Sequence, residues 1–114
     1  MIGNTPNVSD TAVALLKANL GFFSTGIPVD LENYLLSLLE KAFADFAAMD
    51  IHLQPGTLSD DFDQSTYAAW LYRNRATGAD KTEMLKSIKR NRQVNQALND
   101  GEVSAWSTIP KLRS

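Results

Sequence analysis

PVDLENYLLSLLEKAFADFAAM, residues 28 to 49, is the stretch on which the fold turns. Leu31, Leu35, Leu38, Leu39, Ala42, Phe46 and Met49 step through it by three and four, the spacing that gathers apolar side chains along one side of an α-helix. Pro28 suits the first helical turn, and Asp30 and Glu32 stand where the helix dipole favours negative charge. Asn33, Ser37, Glu40, Lys41 and Asp45 fall largely off the stripe, which gives the helix a wet side. Tyr34, Leu36 and Phe43 widen the apolar surface past one face and leave room for a second contact surface.

Working outward toward residue 1, Val13, Leu16 and Leu20 stand at helical spacing, with Ser9 or Asp10 as N-cap and Gly21 as the stop. Phe22 to Gly26 reads as a connection whose two adjacent rings, Phe22 and Phe23, tuck against the core, because exposing both is costly. In the other direction, Ile51, His52 and Leu53 lead into a turn at Gln54-Pro55-Gly56-Thr57, and Ser59, Asp60 and Asp61 offer caps for a new helix. That helix, about Asp61 to Thr77, is expected to put Phe62, Thr66, Ala69, Trp70 and Arg73 on its core side, with Tyr67, Leu71 and Asn74 beside them and Gly78 closing it. Asp80 with Glu83 has the form of a capping box and opens a helix from Lys81 to about Leu98. Met84, Leu85, Ile88, Asn91, Asn95 and Leu98 make its stripe, half polar, so most of this helix is wet. Past Asn99 periodicity fades.

These pieces add up to an all-α fold, a small bundle of about four helices over residues 1 to 100, with an extended C-terminal arm over 101 to 114. The 114 residues suit one core, and 44% hydrophobic with 21% charged residues lies in the globular range. No cysteine is present, so disulfides and thiolate ligands are excluded and a cytoplasmic origin fits. No apolar run nears the roughly 20 residues that span a bilayer, and Met1 to Ser9 lacks the order of a signal peptide.

The net charge of −2 conceals a sorting. Residues 1 to 63 hold nine carboxylates against Lys17 and Lys41, while residues 64 to 114 hold nine cations against Asp80, Glu83, Asp100 and Glu102. Two readings stay open. Copies of the chain can associate head to tail through an acidic and a basic face, or the two halves can neutralise each other within one chain. In the first reading Glu32, Glu40 and Asp45 meet Lys86, Lys89, Arg90 and Arg92 between subunits.

Equipment for chemistry is sparse. His52 is the one histidine, and with no cysteine and no second histidine at ligand spacing it cannot assemble a zinc site; a helix-end histidine partly covered by its neighbours is the simpler reading. Asp60, Asp61 and Asp63 lack the alternating ligands, central glycine and distal glutamate of a calcium loop, so capping and helix-dipole roles fit them better. No phosphate-binding glycine loop or nucleophile elbow occurs, which argues against an enzyme and for neither cofactor nor metal. Lys86, Lys89, Arg90 and Arg92 fit a solvated face, a protein interface or, less well in an acidic chain without interleaved aromatics, a phosphate backbone. Trp106, Ile109, Pro110 and Leu112 are apolar anchors in a polar tail, suited to a partner groove or to folding back on the core.

The run Tyr67-Ala68-Ala69-Trp70-Leu71-Tyr72-Arg73-Asn74-Arg75-Ala76-Thr77-Gly78, followed by Met84-Leu85 and Asn91-Arg92, resembles the small head-to-tail connector proteins of tailed bacteriophages. The helix with Leu35, Leu38, Leu39 and Ala42, preceded by a short first helix, is similar to that family's layout, so the resemblance covers roughly residues 10 to 98. It implies a helical head-completion or adaptor protein made in the host cytoplasm and resident in the virion neck, where copies form a ring, a dodecamer, between the portal protein and a tail or stopper protein. In that setting DNA passes the bore without being read, Trp106, Ile109, Pro110 and Leu112 dock on the portal, and Tyr67, Trp70 and Leu71 hold the core. The chain departs from the family pattern with Ala79-Asp80-Lys81 where a proline follows the glycine, and with a longer polar tail. The competing reading is a small helical regulatory or scaffold module that binds one protein partner.

Overall fold

The computed structural model describes residues 6–22 and 26–97, and within them the chain is all-α. Four helices follow one another: α1 (Asp10–Leu20), α2 (Val29–Ala48), α3 (Leu58–Arg73) and α4 (Lys81–Ala97). The arm over 101–114, with Trp106, Ile109, Pro110 and Leu112, lies outside the described residues, as do Phe23 and Leu98.

Local chemistry sets the ends of α1 and α2. Ser9 caps α1 by accepting the Ala12 N–H at 3.0 Å, and Gly21 leaves the helix at φ 84°, a left-handed conformation that costs glycine little. α2 ends in a Schellman turn: the Ile51 N–H returns to the Phe46 carbonyl at 2.8 Å and the Asp50 N–H to Ala47 at 2.9 Å. Buried Phe46 and Ile51 supply the apolar pair such a turn favours. The left-handed position is taken by Asp50, at φ 62°, where a side chain is strained and glycine is usual.

Long-range bonds fix the directions. Ser9 Oγ donates to Asp61 at one end of α1, and Arg73 donates to the Asn19 carbonyl at the other, so α1 and α3 run parallel and adjacent. Asn7 donates to Glu40 while Lys17 pairs with Glu32, and Tyr34 meets Tyr72 while Gln64 reaches the Leu39 carbonyl. Those pairings make α2 antiparallel to both. Lys81 meets Asp45, and Arg92 meets Asp60 and Asp63, so α4 crosses the late half of α2 and runs back toward the start of α3.

The core sits where α1, α2 and α3 converge, on Leu16, Leu35, Leu39, Phe46 and Tyr67, with Ala12, Ala42, Ala68 and Ala69 fully buried between them. The α2 stripe behaves as its spacing requires: Leu35, Leu38, Leu39, Ala42 and Phe46 are buried, and Leu31 and Met49 pack at its ends. Each Leu or Phe fully buried there contributes about 1.5–3 kcal/mol. Leu36 and Phe43 pack against the same core, and Tyr34 stays exposed.

α3 departs from the sequence reading in phase. Its buried residues are Asp60, Asp61, Gln64, Ser65, Tyr67, Ala68 and Ala69, so the core side lies nearly opposite Phe62, Thr66 and Arg73. Phe62 is 57% exposed and Trp70 only half-buried. The cause is close packing: α3 is clasped by α1 and α2, and the side that fits carries small and hydrogen-bonding residues together with the Tyr67 ring, while Phe62 is left outside and Trp70 at the rim. The helix also starts earlier and ends sooner than its apolar pattern suggests. Thr57 holds the N-cap position without a side-chain bond. At the far end the Asn74 side chain takes the Trp70 carbonyl at 2.9 Å, the next bonds tighten to three-residue turns, and Gly78 at φ 70° turns the chain.

His52 is likewise not covered by its neighbours: Ile51 and Leu53 are buried, and in this extended stretch the residue between them points outward. Phe22 packs against the core edge-on to Tyr72, with ring centroids 6.0 Å apart. On α4 only Leu85 and Ile88 are buried; Asn91 and Asn95 are exposed, and the packed line continues from Ile88 to Arg92 instead.

Candidate functional site

The charges sorted along the chain partly find each other inside it. Arg92 is the junction, with one guanidinium nitrogen 3.0 Å from Asp60 Oδ1 and the other 2.7 Å from Asp63 Oδ2. Asp60 and Asp63 stand three residues apart on α3, which puts both carboxylates on one side of the helix within reach of a single fork. Burial lifts the Asp63 pKa above the ordinary carboxylate value; the bond from Arg92 opposes the rise and the charge of Asp60 adds to it. Partial burial alone lowers the pKa of Arg92, but its bonds to Asp63 and Asp60 outweigh that and raise it. One cation thus serves two carboxylates, and Asp63 is the one left short.

Asp60 has a second duty, accepting the Gln54 N–H at 2.9 Å, and Asp61 accepts the Gly56 N–H at 3.1 Å. Neither follows the usual cap geometry; both reach back from the first turn of α3 to hold the preceding turn, where the helix dipole favours their charge. Fully buried Asp61 also takes the Ser9 hydroxyl at 2.8 Å, which ties the α1 cap to the α3 start. Beside it buried Gln64 donates to the carbonyls of Asn7 and Leu39, at 3.0 and 2.9 Å. Its own carbonyl is the one buried side-chain atom without a partner among the described residues.

Asp45 gathers a second network. It accepts the Tyr67 hydroxyl at 2.7 Å, meets Lys81 at 3.2 Å through both oxygens and lies 3.6 Å from Lys41. Burial, then the bond to Asp45, drives the Tyr67 phenol far above its usual pKa. The Asp45 bond raises Lys81 too. At the head of α4, Asp80 caps by accepting the Thr82 N–H at 2.9 Å, which lowers its pKa.

Of the residues expected at a subunit boundary, Glu32, Glu40, Asp45 and Arg92 therefore have partners within the chain: Lys17, Asn7, the Tyr67–Lys81–Lys41 group and the Asp60–Asp63 pair. Lys86, Lys89 and Arg90 make no such contact, although the charge of Lys86 helps to hold the Asp80 pKa down. Lys86 and Arg90 are exposed and Lys89 half-buried, and none makes an ion pair among the described residues. Exposed Asp10 and Asp30, in the first turns of α1 and α2, also lack a cation there. Spacing alone could not separate the two sets, because a charge on a helix does not reveal which neighbour faces it.

The core trio divides. Tyr67 is fully buried, 5.3 Å from the Phe46 ring and stacked on Trp70 at 6.1 Å, whereas Trp70 and Leu71 are half-buried. The rest of that stretch builds the far end of the molecule. Tyr72 meets Phe22 and Tyr34, and the Arg75 guanidinium lies 4.0 Å over the Tyr72 ring.

An open cleft of about 530 Å³ lies beside the α2 Schellman turn and the last turns of α4, lined by Ile51, His52, Lys89, Arg92, Gln93 and Gln96. His52 there pairs with Asp50 at 3.1 Å, both in solvent. No three acidic or histidine side chains converge as a metal site among the described residues, and no described helix is long and apolar enough to cross a membrane. No protein family, curated protein or solved structure matches the chain. What the geometry offers is an all-α scaffold with a cationic outer side on α4 and an exposed apolar pair, Leu58 and Phe62, one turn apart on α3.

Proposed function

We propose that the chain is a structural, non-enzymatic adaptor of the tailed-phage head-to-tail kind, which joins copies of itself into a ring between a portal protein and a tail or stopper protein. The observation that carries this reading is the surplus on α4: after Lys81 and Arg92 are taken by Asp45, Asp60 and Asp63, the cations Lys86, Lys89 and Arg90 make no ion pair among the described residues, and Lys86 acts only at a distance on exposed Asp80. Asp10 and Asp30 on a neighbouring copy are their natural complements. Electrostatic pairing of this kind fixes register and partner choice more than raw affinity, as a ring of identical subunits requires. The resemblance through Tyr67 to Gly78 supports the phage setting, with the C-terminal residues Trp106, Ile109, Pro110 and Leu112 as the portal contact.

Reversing Lys86, Lys89 and Arg90 to Glu is expected to leave the helices folded and to abolish the ring by mass measurement of the intact assembly. An unchanged assembly mass contradicts the charge-pairing reading. A second reading, a module that binds one protein partner through a helix face, draws support from Leu58 and Phe62, which are 67% and 57% exposed. It expects a monomer that stays a monomer when portal protein is added.

A further inference from the structure

α4 is attached by few means. Two buried side chains, Leu85 and Ile88, anchor its first half, flanked by Lys81 on Asp45 at the start and by Arg92 on Asp60 and Asp63 further along. The connection that delivers it, residues 74–80, is stitched to itself, to the end of α3 and, through Asp80 accepting the Thr82 N–H, to the head of α4. Asn74 bonds Trp70, Arg75 bonds the Tyr72 carbonyl, Thr77 bonds Asn74 and Ala79 bonds Thr77. Positions 75–80 are exposed, and Gly78 at φ 70° makes the reversal. Among the described residues no hydrogen bond or ion pair ties the connection to α1 or α2.

We propose that the seat of α4 on α2 and α3, defined by Asp45, Asp60, Asp63 and Tyr67, also receives the α4 of a second copy of this chain, so that neighbouring copies exchange this helix through the 74–80 connection. The seat and the helix are complementary in themselves: three carboxylates in the seat match Lys81 and Arg92 of the helix, with the apolar pair between them. Docking within a chain and docking between chains form the same contacts, so the balance rests on the strain of the connection and on the concentration of neighbours. Seven residues, drawn out, span about 23 Å, enough to hand α4 across a contact between adjacent molecules. Inside one chain the connection must instead fold back through the left-handed Gly78. The proposal does not rest on the phage reading, and it uses Arg92 and Asp63, not Lys86, Lys89 and Arg90, which make no ion pair among the described residues.

The test mixes two full-length variants. Arg92→Glu sets a third carboxylate against Asp60 and Asp63, and Asp63→Arg sets a second cation beside Arg92 with Asp60 alone between them, so each alone has a weakened dock. Equal mixing restores complementary pairs only between different chains. The expected result is mixed-chain species by intact-mass measurement, roughly ten-fold more abundant than oligomers of either variant alone, and renewed amide protection in α4. The double variant Arg92→Glu with Asp63→Arg, which restores the pair within one chain, is the control. If only that double variant regains α4 protection while the mixture yields no mixed species, α4 docks solely on its own chain and the proposal falls. A second variant keeps every docking residue native and removes Ala76, Thr77 and Gly78, which shortens the return path. It is expected to be oligomeric with α4 protected, and a monomer with α4 unprotected overturns the exchange.

Discussion

Tyr67 and Asp63 stand one helical turn apart on α3, yet they secure different parts of the molecule by different means. Around Tyr67 the chain is closed: its ring is fully buried against Phe46 and Trp70, and its hydroxyl is spent on Asp45 of α2. Around Asp63 the chain is half open, and a part-exposed Arg92 straddles two carboxylates to hold α4. Burial supplies free energy in proportion to area, whereas ion pairs with one foot in solvent are worth about 0–1 kcal/mol each and mainly set geometry. The lesson is a division of labour. Three helices carry the stability, and the fourth is positioned by charge and free to answer to partners.

The largest blow to this contrast is Tyr67→Ala, which empties the shared centre and is expected to cost about 3–5 kcal/mol in denaturant unfolding, felt by all helices together. Trp70→Ala, at a half-buried site, should cost clearly less in the same titration. Leu85→Ala removes one of the two buried anchors of α4 and is expected to cost about 2–3 kcal/mol, with the loss confined to α4 amides and little change in α1 or α3. A uniform loss across all four helices there would erase the distinction between the two tiers.

Proton linkage sharpens it further. The phenol of Tyr67 is pushed up from its ordinary value of 10.0, so the folded chain holds its proton where an unfolded chain releases it. Its contribution is therefore fully present below that ordinary value and lost as pH climbs above it, by up to about 1.4 kcal/mol per pH unit. Tyr67→Phe should flatten that alkaline slope in stability measured against pH. The smallest effect is a gain: Asp50→Gly relieves a left-handed side chain in the Schellman turn and is expected to add about 1 kcal/mol, read as a raised unfolding midpoint.

The sequence made much of this legible and hid the rest for identifiable reasons. The α2 stripe from Leu31 to Met49 fixes its buried side because long apolar residues at helical spacing have one efficient way to leave water. Ser9 and Gly21 mark the ends of α1 because the caps act locally. The orientation of α3 was not legible: a helix clasped by two others buries what fits, and Ala68, Ala69, Ser65 and Gln64 fit where Phe62 does not. The fate of the charges was hidden as well. Arg92 and Lys86 are equivalent in a one-dimensional pattern, and only the crossing of α4 over α3 gives the first two carboxylates and leaves the second outside. Asp60 and Asp63 did carry a usable sign in their three-residue spacing, which places both on one side of a helix.

The account stands on α4 being a tethered tier beside a three-helix core, and native-state amide exchange of the full chain reads that directly. The expected profile has α4 amides opening at a free energy well below the slowest amides of α2 and α3, and responding to salt as the Arg92 bridge is screened. If α4 exchanges only with global unfolding, at the same salt-insensitive free energy as Tyr67 and Phe46, the two tiers are one and the account is contradicted.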